Sequence, residues 1–150
     1  MIFNKQKRRI RLEHYFERLQ EAHKIIFRKL KNEFDHRNLG LTDTQFYILF
    51  SLAEKGSYTV SDLAEKLGVK PSAVTVMIDR LLKSDLVKRR RDAGDRRVVL
   101  IEISDEGNVL LEKVKAERKQ VIKQFFGHLT PEELESLVAI YEKLANTVHK

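Results

Sequence analysis

The 150-residue sequence contains no cysteine. That excludes disulfide staples, thiolate metal sites and thiol-based redox sensing, and it fits a reducing compartment. Long apolar runs are also missing: none approaches the roughly 20 residues that a bilayer-crossing helix requires, and the amino terminus lacks the apolar stretch of a secretory signal. A cytoplasmic location with no membrane partner is the expectation. No internal repeat occurs and no segment is a linker rich in Pro, Gly or Ser, so a single domain over residues 1–150 is expected. Catalytic motifs are absent as well, with no nucleophile constellation and no phosphate-cradling loop, which points away from an enzyme and implies no cofactor. The five histidines show no close pairing. His14 beside Glu13 and Glu17 is a common helical cluster rather than a zinc site.

What the sequence does have is positive charge. Twenty-nine Lys and Arg against 22 Asp and Glu leave a formal charge of +7 and a pI near 9.6. Such a balance favours a polyanionic partner, because neutralising phosphates releases counterions. Nucleic acid is the first candidate and an anionic membrane surface the second.

The hydrophobic pattern places this charge on a mostly helical body. A first helix is expected from about Arg8 to about Asn38, with Leu12, Phe16, Leu19, Ala22, His23, Ile26, Leu30 and Phe34 at three- and four-residue steps, ended by Gly40. Thr42 with Gln45 three residues later forms a capping box ahead of Phe46, Ile48, Leu49 and Leu52. From Thr59 the spacing shortens to two brief helices around Gly68-Val69-Lys70, the second opened by Pro71, which is helix-turn-helix grammar. Residues 86–91, 92–95 and 96–103 read as strand, short loop and strand. Ser104 starts a long helix with Val109, Leu110, Val114, Val121, Ile122 and Phe125 as its stripe, stopped by Gly127. Thr130-Pro131-Glu132-Glu133 starts the last helix, which carries Leu134, Leu137, Val138, Tyr141, Leu144 and Val148.

Two adjacent segments carry the candidate function. The helix opened by Pro71 turns Val74, Ile78 and Leu81 inward, with Met77 beside them. It leaves Ser72, Thr75, Val76, Asp79, Arg80 and Lys83 outward, mostly short or hydrogen-bonding side chains able to approach base edges. Pro71, Ser72, Ala73 and Thr75 form an amino end suited to phosphate and base contact. In the hairpin, Lys88, Arg89, Arg90 and Arg91 repel one another and gain nothing in a packed core, whereas they release counterions along a phosphate backbone. Asp95 is expected to hold the Arg97 guanidinium extended at the tip beside Arg96, aimed at a narrow minor groove.

In order, Leu63-Ala64-Glu65-Lys66-Leu67-Gly68-Val69, Ser72-Ala73-Val74-Thr75, Asp79-Arg80-Leu81, Leu86-Val87-Lys88-Arg89, Asp95-Arg96-Arg97 and Ile103-Ser104-Asp105-Glu106-Gly107 resemble the MarR family of bacterial regulators. The resemblance covers nearly the whole chain. It implies a winged helix-turn-helix over 42–103 flanked by dimerisation helices over 8–38 and 104–149, with the recognition helix in the major groove and Arg97 in the minor groove of double-stranded DNA. Two positions depart from the family pattern. Val76 stands where members often carry a basic residue, which shifts base reading toward apolar contact such as thymine methyl groups. Ser104 replaces a common threonine and keeps the capping hydroxyl.

A dimer is expected on separate grounds, because the apolar stripes of three long helices exceed what one small winged helix can cover. Two-fold symmetry would set the recognition helices about 34 Å apart on a near-palindromic operator. The resemblance implies a small aromatic or acidic effector between the dimerisation helices and the DNA-binding lobe. His14, Arg18, Phe46 and Tyr47 are the residues such a pocket would draw on, each with an ordinary reading as core aromatic or solvated charge. Lys5, Lys7, Arg8, Arg9 and Arg11 form a basic amino end that either touches phosphates or remains a solvated tail. The leading expectation is a ligand-responsive repressor. The alternative is a winged-helix module that binds nucleic acid constitutively within a larger assembly.

Overall fold

Helix-capping chemistry sets most of the element boundaries in the computed structural model, which describes the backbone of residues 2–148 and the side chains of residues 12–147. The side chains of Lys5, Lys7, Arg8, Arg9, Arg11, Val148 and His149 lie outside the described residues. The elements run α1 (Ile2–Arg37), α2 (Asp43–Lys55), β1 (Ser57–Tyr58), α3 (Val60–Leu67), α4 (Pro71–Lys83), β2 (Val87–Arg91), β3 (Val99–Ile103), α5 (Asp105–Phe126) and α6 (Pro131–Val148). The expected class, mostly helical with a small β-hairpin, is the class observed. Helix α1 begins at Ile2, earlier than the periodicity from Arg8 indicates.

Thr42 and Gln45 make the expected reciprocal cap of α2, and Thr130 and Glu133 do the same for α6. Thr59 and Asp62 form a third such box at α3, which the sequence reading passed over. The Asp62 carboxyl is held below the ordinary carboxylate range, chiefly by its hydrogen bonds from Thr59. Gly68 ends α3 in the left-handed conformation at φ 63°, and its amide donates back to Glu65 O at 3.1 Å. That geometry turns the chain tightly into α4.

The sheet has three antiparallel strands in the order β1-β3-β2. The expected hairpin is therefore joined by a third, two-residue strand. Strand β3 starts at Val99, so Arg96 and Arg97 belong to the connecting turn and not to the strand as expected.

Two compact units divide the chain: Met1–Phe34 with Val121–Lys150, and Asp35–Gln120. In the second unit, Ile48, Leu49, Leu52, Leu63, Val74, Ile78 and Ile101 are fully buried and belong to one cluster with Leu81, Val87, Leu111 and Val114. On α5 the buried positions include Leu111, absent from the expected stripe, while Val109 is exposed. In the first unit the expected stripes face outward. Leu12, Phe16 and Leu19 on α1 and Leu134, Val138, Tyr141 and Leu144 on α6 are exposed, whereas Leu137 is half-buried.

Candidate nucleic-acid interface

Helix α4 buries Val74, Ile78 and Leu81 in the cluster, and this fixes what it turns outward. Pro71, Ser72, Thr75, Val76, Arg80 and Lys83 are exposed and Ala73 is half-buried. Lys70 occupies the N-cap without a side-chain hydrogen bond, so the first amides of α4 lack the side-chain acceptor that Thr42 and Thr59 give α2 and α3. An uncapped amino end with donors and a positive dipole is suited to an anionic oxygen. The Thr75 hydroxyl donates to Pro71 O at 3.0 Å, which leaves its lone pairs directed outward as acceptors. Val76 is 52% exposed, a large apolar side chain held at the surface of the helix by no packing need of its own.

The hairpin is arranged by acidic residues. In β2, Lys88 pairs in register with Glu102 of β3. Lys88 Nζ lies 3.9 Å from Glu102 Oε2, and Arg90 Nε donates to Glu102 Oε1 at 2.6 Å. The Arg90 guanidinium is held above its ordinary value, first by the hydrogen bond to Glu102. Arg89 lies on the opposite face of the strand and donates to Asp79 Oδ1 at 2.7 Å, joining the hairpin to α4. Arg91, Arg96 and Arg97 are exposed and have no ion pair among the described residues. The expected run of four equivalent phosphate-binding cations is thus divided: three are paired internally and one is not.

The tip differs from expectation in its chemistry. Asp95 Oδ1 accepts the backbone amide of Arg97 at 2.9 Å, not its guanidinium. Asp92 Oδ2 accepts the amides of Gly94 and Asp95 at 3.0 and 3.1 Å, and these hydrogen bonds hold its carboxyl below the usual range. Each aspartate closes an Asx turn. Together they shape the backbone of the loop from which Arg96 and Arg97 project.

The base of the hairpin is pinned to α5. Ser104 Oγ donates to Asp85 O at 2.6 Å and accepts the Gly107 amide at 2.9 Å. A Cβ at position 107 would meet Leu86 O at 2.1 Å, so this approach requires glycine. The serine performs the expected capping role.

Sequence reasoning gave no role to Asp92, Glu102 or Arg118, and it placed Asp79 on the outward face of the recognition helix without the pairing to Arg89. The Arg118 guanidinium donates to Asn38 Oδ1 at 3.0 and 2.8 Å, pairs with Asp43 and lies 3.8 Å over the Phe46 ring. Asn38, in the turn after α1, is buried, and only the approach of that turn and α2 to α5 reveals this cluster. Phe46 is a core residue, Tyr47 is half exposed, and His14 and Arg18 are exposed on α1. Among the described residues, no group of three His, Cys, Asp or Glu is placed to hold a metal, and no helix is long and apolar enough to cross a membrane.

The model of the MarR family matches residues 41–99, which run from just before α2 to the start of β3. The HTH-type transcriptional repressor MdtR of Bacillus subtilis is 38% identical over 129 residues, covering 85% of this chain and 83% of that protein. The chain belongs to the MarR family. As a member it is a DNA-binding regulator of transcription and not an enzyme. The crystal structure of YusO from Bacillus subtilis superposes with a TM-score of 0.77 at 36% identity, covering 89% of this chain and 96% of that one. A variant of Escherichia coli MarR solved with operator DNA shares the fold, with a TM-score of 0.68 at 24% identity and coverage of 84% and 92%.

Proposed function

We propose that this MarR-family chain is a sequence-specific repressor that binds a near-palindromic operator as a homodimer. In this reading α4 enters the major groove and the hairpin reaches the flanking minor groove. Pro71, Ser72, Ala73, Thr75, Val76, Arg80 and Lys83 form the major-groove surface. Lys88 and Arg90 meet phosphates, Arg96 and Arg97 form the minor-groove finger, and Asp95 sets the backbone of that finger. The observation that carries the reading is the pairing of an uncapped, outward-facing α4 with an exposed arginine tip in one unit.

The homodimer is supported by the first unit. Its α1 and α6 faces expose apolar residues at helical spacing, and a cleft of about 630 Å³ lined by Ile122, Phe126, Leu134, Val138 and Tyr141 lies open. Contiguous exposed apolar faces mark interaction sites, and a second copy related by a two-fold axis is the commonest partner of a soluble chain. Release from the operator by a small aromatic or acidic effector follows from family likeness. A shift in operator affinity on titration with such compounds tests that part.

The central test is selection of duplexes from a random library followed by anisotropy at physiological salt. The expected product is a near-palindrome with half-sites about one helical turn apart, preferred over scrambled duplex by about a thousandfold or more. Equal affinity for the scrambled duplex would favour a constitutive nucleic-acid-binding module instead. Arg97→Ala should weaken operator binding without unfolding the chain, since the side chain is exposed.

A further inference from the structure

The hairpin holds more cation than it presents. Lys88 and Arg90 project from the same face of β2, two residues apart, and both close on the carboxylate of Glu102 in the neighbouring strand. Glu102 is the better shielded partner: its side chain is 21% exposed, against 64% for Lys88 and 46% for Arg90. Nothing in the core requires a carboxylate there. Position 102 pairs on its other side with Ser57, and the buried residue of the strand is its neighbour Ile101.

A phosphate approaching Lys88 or Arg90 therefore meets an ion cluster of net charge +1 instead of +2, with both cations already engaged. We propose that Glu102 acts as an internal competitor for phosphate, a specificity-determining residue that limits sequence-independent binding of DNA by the hairpin. The proposal rests on the DNA-binding reading above. Its physical basis is the different make-up of the two binding modes. Binding to random duplex is almost wholly counterion release, and the protein is free to shift until its cations meet phosphates. On an operator, base contacts by α4 fix the register, so one more available cation adds less. Removing the carboxylate should then strengthen the wrong complex more than the right one.

Glu102→Gln keeps the shape and removes the charge, and the wild-type and variant proteins would be titrated with scrambled and selected duplexes across a salt series. On scrambled duplex the variant should bind roughly three- to tenfold more tightly at low salt, with a slope of log affinity against log salt steeper by about 0.9, as for one extra phosphate contact. The ratio of operator to scrambled affinity should fall. Unchanged or weaker binding of scrambled duplex, or an equal rise on both duplexes, would overturn the proposal. In a Lys88→Gln, Arg90→Gln background the gain from Glu102→Gln should largely vanish. An undiminished gain would show that the carboxylate acts through its distant field and not by holding these cations. If Glu102→Gln disturbs the hairpin, seen as a loss of cross-strand amide protection, Glu102→Thr, with its high strand propensity, must give the same shift in salt slope. Failure of the wild-type chain to bind any duplex at low salt would remove the DNA-binding reading itself. A chain that binds duplex but ignores the substitution removes only the role of Glu102.

Discussion

The two units of the chain treat apolar surface in opposite ways. In residues 35–120, leucines, isoleucines and valines from α2, α3, α4, α5 and the sheet meet in one buried cluster, and the apolar side chains left outside, such as Leu39, Val76, Val99 and Val109, are scattered among polar and cationic ones. In the unit of residues 1–34 and 121–150, only Val121 is buried among the described residues, while Phe16, Leu19, Ile140 and Leu144 are each more than half exposed. Helical periodicity alone does not separate these cases, because an amphipathic stripe has the same spacing whether its partner lies in the same chain or in another. The first unit leaves its apolar stripes exposed among the described residues.

The largest expected effect falls on that unfinished surface. Val138→Glu with Leu144→Glu would place two carboxylates in the proposed dimer interface, where each unpaired buried charge costs about 3–5 kcal/mol. Sedimentation should show the mass halved at micromolar concentration. An unchanged dimer would place the interface elsewhere and break the contrast. Next comes the closed core: Leu49→Ala should cost about 2–5 kcal/mol in urea unfolding and abolish duplex binding through loss of fold. Leu49 is fully buried, so a cost below about 1 kcal/mol would mean the cluster is loosely packed. A smaller loss of about 1–3 kcal/mol is expected for Gly107→Ala, which forces the start of α5 away from Leu86 O. That substitution sharpens the comparison, since it tests packing of backbone on backbone within the closed unit and leaves the exposed stripes untouched.

These outcomes bear on how much was legible beforehand. The caps at Thr42 and Thr130 and the turn at Gly68 were readable because each is completed within a few residues. The outward positions of α4 were readable for the same reason, once Val74, Ile78 and Leu81 define the inward face. Contacts between distant segments were not. Strand β1 has only two residues and is recognisable solely by pairing with β3. The role of Glu102 was hidden by loop length: a four-residue loop would set Val99 opposite Lys88, whereas the observed turn over 92–98 sets Glu102 there. Arg118 and Asn38 are 80 positions apart and share no local pattern. The error at Asp95 has a different origin. Opposite charges two residues apart invite an ion pair, but an aspartate at the start of a turn has a backbone amide nearer to hand than any side chain.

The same backbone preference yields the smallest and most local prediction, at Asp92. Its carboxyl accepts two amides in the folded loop and is held below its ordinary value of 3.8 by them. A carboxyl with a lowered folded value binds its proton less readily when folded than when unfolded. Its stabilising contribution is therefore complete above the ordinary value and disappears as pH falls through the lowered one. The amide protons of Gly94 and Asp95 should consequently shift together in an acid titration monitored by NMR, with a midpoint under 3.8. Asp92→Asn retains an acceptor oxygen without a titrating charge, so both shifts should flatten while the turn persists. A midpoint at or above the ordinary value would mean that the carboxylate does not organise the loop. The exposed tip carrying Arg96 and Arg97 would then be shaped by Asp95 alone. Either result leaves the closed core untouched, because Asp92 touches only its own loop and the end of β2.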